Sequence, residues 1–169
     1  MLSYHERVTA IGITGHIRLS QDSVQLIMEA LREEIRREPS PVLHGVTCLA
    51  PGADQLFADA ILEAGGTYEV VLPAWDYRER VVDAGDRANF DRLLSKASSV
   101  LYMPFDRSQS GAYKAANEEL VRRSGRIIAV WDGKPATGPA STAHVVRAAR
   151  AAGIEVTTIW PPGACRADT

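Results

Sequence analysis

The chain reads as an α/β protein, a three-layer α/β/α sandwich around a mainly parallel sheet of six or seven strands. Three observations predict this. Short apolar runs recur about every 30 residues, the length of one βαβ unit. Amphipathic helical patterns stand between them. Several runs, such as Ile127-Ile-Ala-Val-Trp131, are almost continuously apolar, as parallel strands covered on both faces are.

The runs are Val8–Thr14, Leu43–Leu49, Glu69–Leu72, Ser99–Met103, Arg126–Trp131 and Ile154–Ile159. The last alternates more than the others, which places it nearer an edge. Ser20 is positioned to cap the first helix, where Val24, Ile27, Met28, Leu31 and Ile35 share one face and Pro39 and Pro41 close the element. Leu56, Phe57, Ala60, Ile61 and Ala64 form a second stripe ended by Gly65-Gly66. Leu120 and Val121 anchor a later helix, and Val145, Val146, Ala149 and Ala152 the last. Residues 74–91 are polar, lack a clear period, and read as a loop with a short helix over one edge of the sheet. One domain over residues 1–169 is expected, with loose tails at 1–6 and 163–169.

Composition narrows the function classes. The chain is 46% hydrophobic and 24% charged, ordinary for a globular protein. Its 19 basic residues are spread along a chain of net charge −2, which argues against nucleic acid as a partner. Arg32, Arg36 and Arg37 alternate with Glu33, Glu34 and Glu38 and read as a solvated helix face. Two cysteines, Cys48 and Cys165, make no disulfide framework and fit a cytoplasmic location. No apolar run approaches the ~20 residues of a membrane span, so no membrane partner is expected. There is no zinc spacing, no Walker A sequence, no Gly-x-Gly-x-x-Gly and no Ser-His-Asp arrangement, so neither a metal nor a cofactor is expected.

In such a sheet, ligands sit at the carboxyl ends of the strands near the point where strand order reverses. That rule selects Gly15, His16 and Arg18 after the first strand, Gly52, Ala53, Asp54 and Gln55 after the second, and Asp132-Gly133 after the fifth. Gly138, Ser141 and Thr142 lie where a loop enters the last helix, where backbone N–H groups and the helix dipole favour a phosphate. Each residue also has a plainer reading. Asp54 can complement a helix dipole, Asp132-Gly133 can be a turn, and Ser141 and Thr142 can cap the helix. Arg18 is a bidentate phosphate donor or a solvated cation, and His16 a proton-transfer group or a loop histidine. Tyr77, Tyr113 and Asn117 are candidates for the pocket mouth.

Taken together, Gly12–His16, Cys48–Gln55, Val71–Tyr77 and Ala129–Ala136 resemble the SLOG superfamily of SMF/DprA and Lonely Guy (LOG) proteins, and more closely a family of small actinobacterial SLOG-like proteins. The resemblance implies a Rossmann-like fold and a nucleotide or nucleotide-derived ligand. LOG enzymes, which cleave the base–ribose bond of nucleoside monophosphates, carry Pro-Gly-Gly-x-Gly-Thr-x-x-Glu. Here Thr142 and one glycine remain, Pro139 and Ser141 replace glycines, and Val145 replaces the glutamate.

The first expectation is therefore a binding protein for a nucleotide or nucleotide-derived phosphorylated small molecule. The alternatives are an N-glycosidic-bond hydrolase or transferase using Asp54, Asp132 or His16, and a protein-interaction scaffold with a vestigial pocket. A homodimer through Tyr113, Ala116, Leu120 and Val121 is expected.

Overall fold

The computed structural model describes residues 9–136, 138 and 140–167. The start of the first run at Val8, the expected tail at 1–6, Thr137, Pro139 and the last two residues lie outside them. The chain order is β1 (Ile11–Gly15), α1 (Gln21–Arg36), β2 (His44–Thr47), α2 (Ala53–Glu63), β3 (Thr67–Leu72), α3 (Tyr77–Arg80), α4 (Arg87–Lys96), β4 (Ser99–Tyr102), α5 (Ser110–Arg123), β5 (Arg126–Val130), α6 (Thr142–Ala151) and β6 (Glu155–Ile159).

The strands form one six-stranded sheet, ordered β4-β3-β2-β1-β5-β6, and every neighbouring pair is parallel. The expected α/β sandwich is therefore present, with six strands among the described residues. β6, the run that alternates most, is an edge strand, and β4 is the other. Strand order runs from β1 out to β4 and then returns to β5, so it reverses between β1 and β5.

Side-chain alternation splits the core into two layers, one on each face of the sheet. Tyr68, Val70 and Leu72 of β3 join Ile27, Leu31, Phe57, Ile61, Phe90 and Leu93 from α1, α2 and α4. Val71, between two of them, joins Leu120, Val121, Val145 and Ala149 from α5 and α6. Ile128 and Ile127 of β5 divide between the layers in the same way.

Several expectations change at this level. Residues 74–91 hold the expected short helix, α3, and also the first half of α4, a ten-residue helix that runs on to Lys96. Phe90 and Leu93 are buried, and Leu94 packs against the same core. Val24 is exposed; Ser23 takes the inward place, and its hydroxyl accepts from the Cys165 N–H at 2.7 Å. Ala64 and Ala152 are exposed at the ends of their helices.

The C-terminal segment is not a loose tail over 163–167. Ser20 N–H donates to the Cys165 carbonyl, and Ala167 N–H to the Arg18 carbonyl, which lays this segment along the loop after β1. Glu34 and Glu38 are not a solvated face either: both grip Arg126 at the start of β5, at 2.9 and 2.8 Å. Ala116, Leu120 and Val121, on which the pairing expectation rests, are buried inside this one chain.

Gly15 lets α2 meet the sheet. A Cβ there would lie 2.5 Å from Ala53 Cβ, 2.9 Å from Val130 Cβ and 3.0 Å from the Val130 carbonyl oxygen. Neither neighbour has a flexible end to move aside. Gly15→Ala should cost roughly 1–3 kcal/mol through overpacking. A denaturant midpoint equal to that of the parent chain would contradict this close approach.

Candidate functional site

A cavity of about 620 Å³ opens over the carboxyl ends of β1, β2 and β3. That volume is in the range that holds a small-molecule ligand. Its floor includes Thr14, Gly15, Cys48 and Pro73; Arg18, Asp83 and Asp86 stand on its polar side; Asp54 and Tyr77 face it from α2 and α3; and Tyr113 and Asn117 face it from α5.

The turn between β2 and α2 shapes one wall. Leu49 is fully buried with φ 57°, a left-handed conformation that costs a branched apolar residue about 1–3 kcal/mol. Two hydrogen bonds offset that cost. Leu49 N–H donates to Thr47 Oγ1 at 2.9 Å, and the Leu49 carbonyl accepts from Gln55 Nε2 at 3.2 Å. Gln55 Oε1 also accepts from Asn89 at 2.8 Å, so this side chain joins the turn to α4 instead of facing the cavity.

Gly52 then enters α2 at φ 92°, where a Cβ would meet the His16 and Ile17 carbonyl oxygens at 2.7 and 2.8 Å. Ala53 N–H donates to the His16 carbonyl at 3.3 Å. No side chain caps α2, whose Asp54 lines the cavity from the first turn, and Tyr113, Ala116 and Asn117 line it from the body of α5.

Asp54 is buried, and its Oδ2 accepts from the Ala50 N–H at 3.2 Å. Burial pushes its carboxyl up to about 7, against the pull of hydrogen bonds from the backbone of Ala50 and Cys48. At neutral pH the group therefore divides between acid and carboxylate. Burial also raises the Cys48 thiol far above its ordinary range, so Cys48 is a neutral wall residue and not a nucleophile. Burial raises the Tyr77 phenol, with Asp54 adding to the effect, and raises that of Tyr113 too. The guanidinium of Arg18 and the carboxylates of Asp83 and Asp86 have no ion pair or side-chain hydrogen bond among the described residues.

The gap between β1 and β5, where strand order reverses, is filled by protein. His16 is buried; its Nε2 accepts from the Asp132 N–H at 3.3 Å and lies 3.2 Å from Asp132 Oδ1. Its ring meets Trp160 edge-on, with centroids 5.4 Å apart. Burial, aided by Arg166, holds the imidazole below its ordinary range. Burial alone would raise Asp132, yet the Lys134 N–H bond and His16 keep it below the usual carboxylate range. Asp132 Oδ1 accepts from Lys134 N–H at 3.0 Å, which makes Asp132-Gly133 a side-chain-stabilised turn. Ser141 Oγ accepts from His144 N–H at 3.2 Å and donates to the Gly138 carbonyl at 2.9 Å, so it caps α6.

The candidates thus separate into two groups. Gly15, Arg18 and Asp54 line the cavity, together with Tyr77, Tyr113 and Asn117. Gly52, Ala53 and Gln55 build the turn behind it. His16, Asp132, Gly133, Gly138, Ser141 and Thr142 form the neighbouring β1–β5 region, whose one residue on the cavity wall is Ala140. Asp83 and Asp86 escaped the sequence reading because they sit in the stretch without periodicity.

No protein-family model matches the chain, and no curated protein matches it. Solved structures do. DNA processing protein A (DprA) from Streptococcus pneumoniae aligns over 92% of this chain with a TM-score of 0.66 and 15% identity. DNA processing protein A from Helicobacter pylori, which has a single-stranded DNA binding mode, aligns over 92% with a TM-score of 0.64 and 16% identity. A structural-genomics target, TM1055, aligns over 88% with a TM-score of 0.51 and 16% identity. The chain spans 51% of the first of these proteins, 67% of the second and 72% of the third.

The chain has a SLOG-like fold. One expectation is corrected here: nucleic acid is not excluded as a partner class. A protein of this fold has a DNA binding mode, so evenly spread basic residues do not rule that class out. No helix among the described residues is long and apolar enough to cross a membrane.

The raised Asp54 carboxyl has a signed consequence. The native state holds the proton more tightly than the unfolded chain, so its contribution is fully present below about pH 4 and is lost as pH rises to about 7. Asp54→Asn cannot ionise. Its melting temperature minus that of the parent should climb across that interval and level off above it. A difference that stays constant from pH 4 to pH 8 would show that Asp54 titrates normally.

Proposed function

We propose that this protein binds a nucleotide-derived, phosphate-bearing small molecule in the cavity over β1, β2 and β3. The observation that carries the reading is the convergence on one 620 Å³ space of Arg18, which has no ion pair among the described residues, a buried Asp54 and the first turn of α2, which no side chain caps. A helix start and a guanidinium favour a phosphate. Asp83 and Asp86, exposed on the same space, suit sugar hydroxyls or an amino group. Tyr77 and Tyr113 give a planar ring apolar surface, and Asn117 an amide.

In this reading Gly15, Arg18 and Asp54 contact the ligand, and Gly52, Ala53 and Gln55 hold the turn that presents Asp54. His16, Asp132, Gly133, Gly138, Ser141 and Thr142 brace the adjoining wall. The described strands share one sheet, which supports a single domain. The two free cysteines support a reducing, cytoplasmic setting.

Of the two glycine replacements behind the scaffold alternative, Ser141 falls in a helix cap, and Pro139 lies outside the described residues. The hydrolase alternative rests on Asp54 alone. A carboxyl at about 7 is suited to acid–base work near neutral pH. Val145, at the position of the LOG glutamate, is buried in the core and supplies no acid. Chromatographic detection of free base released from nucleoside monophosphates, absent in Asp54→Asn, would favour that alternative.

Calorimetric titration with a panel of nucleosides and their monophosphates tests the proposal. Arg18→Ala should weaken a monophosphate about tenfold, the loss of one charge-assisted contact at an exposed rim, and leave the matching nucleoside unchanged. Absence of binding by every member of the panel would overturn the reading.

A further inference from the structure

The loop between β3 and α3 presents an aromatic surface outside the cavity. Trp75 is 63% exposed, the most exposed of the large apolar side chains among the described residues. Its indole lies almost parallel to the Tyr102 ring, with centroids 4.1 Å apart and planes 13° apart. With one face on Tyr102 and that much exposure, its other face is open to water.

The loop itself is firmly held. Trp75 N–H donates to the Phe105 carbonyl at 3.1 Å, and the Asp76 carboxylate accepts from both the N–H and the hydroxyl of Ser108 at 2.7 Å. The indole is therefore a pre-positioned platform. Asp106 and Arg107 are exposed on the partner loop, so charged side chains stand beside the indole. An open indole face backed by a second ring suits a planar ring stacked face-on.

The platform lies close to the cavity along the chain. Pro73 and Tyr77 both line the cavity, and each is two residues from Trp75. Two residues span at most ~7 Å of chain. Arg107, on the loop bonded to this one, is exposed, has no ion pair or side-chain hydrogen bond among the described residues, and offers a phosphate a bidentate cation.

We infer that Trp75, backed by Tyr102, is a second subsite that stacks a second nucleobase. The ligand unit is then a dinucleotide: one base in the cavity, one on Trp75, and a phosphate between them. This rests on the proposed nucleotide reading of the cavity. The unit can come from a free dinucleotide or from a stretch of single-stranded nucleic acid, because the stacking chemistry is the same.

Calorimetry and tryptophan fluorescence with three probes test it: a nucleoside monophosphate, the 5′-phosphorylated dinucleotide, and a single strand of about ten residues, each in the four common bases. Stacking on an aromatic side chain is worth about five- to 150-fold in affinity. The dinucleotide should bind at least about fivefold more tightly than the monophosphate and quench the fluorescence. Trp75→Ala should abolish that gain without changing monophosphate affinity, and Trp75→Phe should retain part of it. Equal affinity for the dinucleotide and the longer strand identifies a free dinucleotide unit; affinity that rises with length identifies the strand.

Monophosphate binding with no gain from the second base, or a gain that survives in Trp75→Ala, overturns the platform and leaves the cavity reading intact. Trp75-dependent dinucleotide binding without detectable monophosphate binding supports the platform and removes the cavity reading. Failure of all three probes overturns both.

Discussion

The start of α2 lies against the end of β1 with almost no space between them, and the rest of the site depends on that approach. Two glycines permit it. At Gly15 a Cβ would collide with Ala53 and Val130, and at Gly52 with the backbone carbonyls of His16 and Ile17. Gly52 also adopts a positive φ that a side chain would strain. With α2 held this close, the chain from Leu49 to Asp54 has few paths. It takes the left-handed turn at Leu49, secured by Thr47 and Gln55, and turns Asp54 back onto the Ala50 N–H. A carboxyl in the first turn of a helix ordinarily ionises easily. Here burial dominates and moves it toward neutrality.

The same approach explains why the cavity opens to one side of the expected crevice. In an open parallel sheet the ligand position lies where strand order reverses. In this chain that gap is occupied by the His16–Asp132 contact, with Trp160 against the imidazole and the segment at 163–167 alongside. The space that remains open is displaced onto β2 and β3, where α5 and the loop before α4 supply the opposite wall. Ser141 therefore caps the entry to α6, and the polar side of the cavity comes from Arg18, Asp83 and Asp86.

What the sequence made legible follows from the range of the physics involved. Strand positions, the parallel sheet, the edge placement of β6 and the Ser20 cap rest on local periodicity and local hydrogen bonds, and all are present. Gly15, Arg18 and Asp54 were accessible because strand ends predict where a cavity forms. The remainder rests on contacts between distant residues. His16 meets Asp132 across 116 positions, and Cys165 meets Ser23 across 142. Gln55 has the same composition signal whether it faces a ligand or, as here, fastens Leu49 to Asn89. α4 was missed because only its first half, with Phe90 between charged residues, falls in the stretch without a visible period, and Leu93 lies beyond it. The bias against nucleic acid came from charge spacing alone, a property that does not register a stacked aromatic surface such as Trp75 on Tyr102.

The central claim is that ligand enters the cavity beside Arg18 and Asp54, and not the capped start of α6. Backbone amide NMR during titration with a nucleoside monophosphate tests this residue by residue. The account predicts shifts concentrated in residues 13–18, 48–54, 77–86 and 113–117, the segments that surround the cavity. Shifts centred on 138–144, with those segments unmoved, would place the anion at the α6 entry and contradict it.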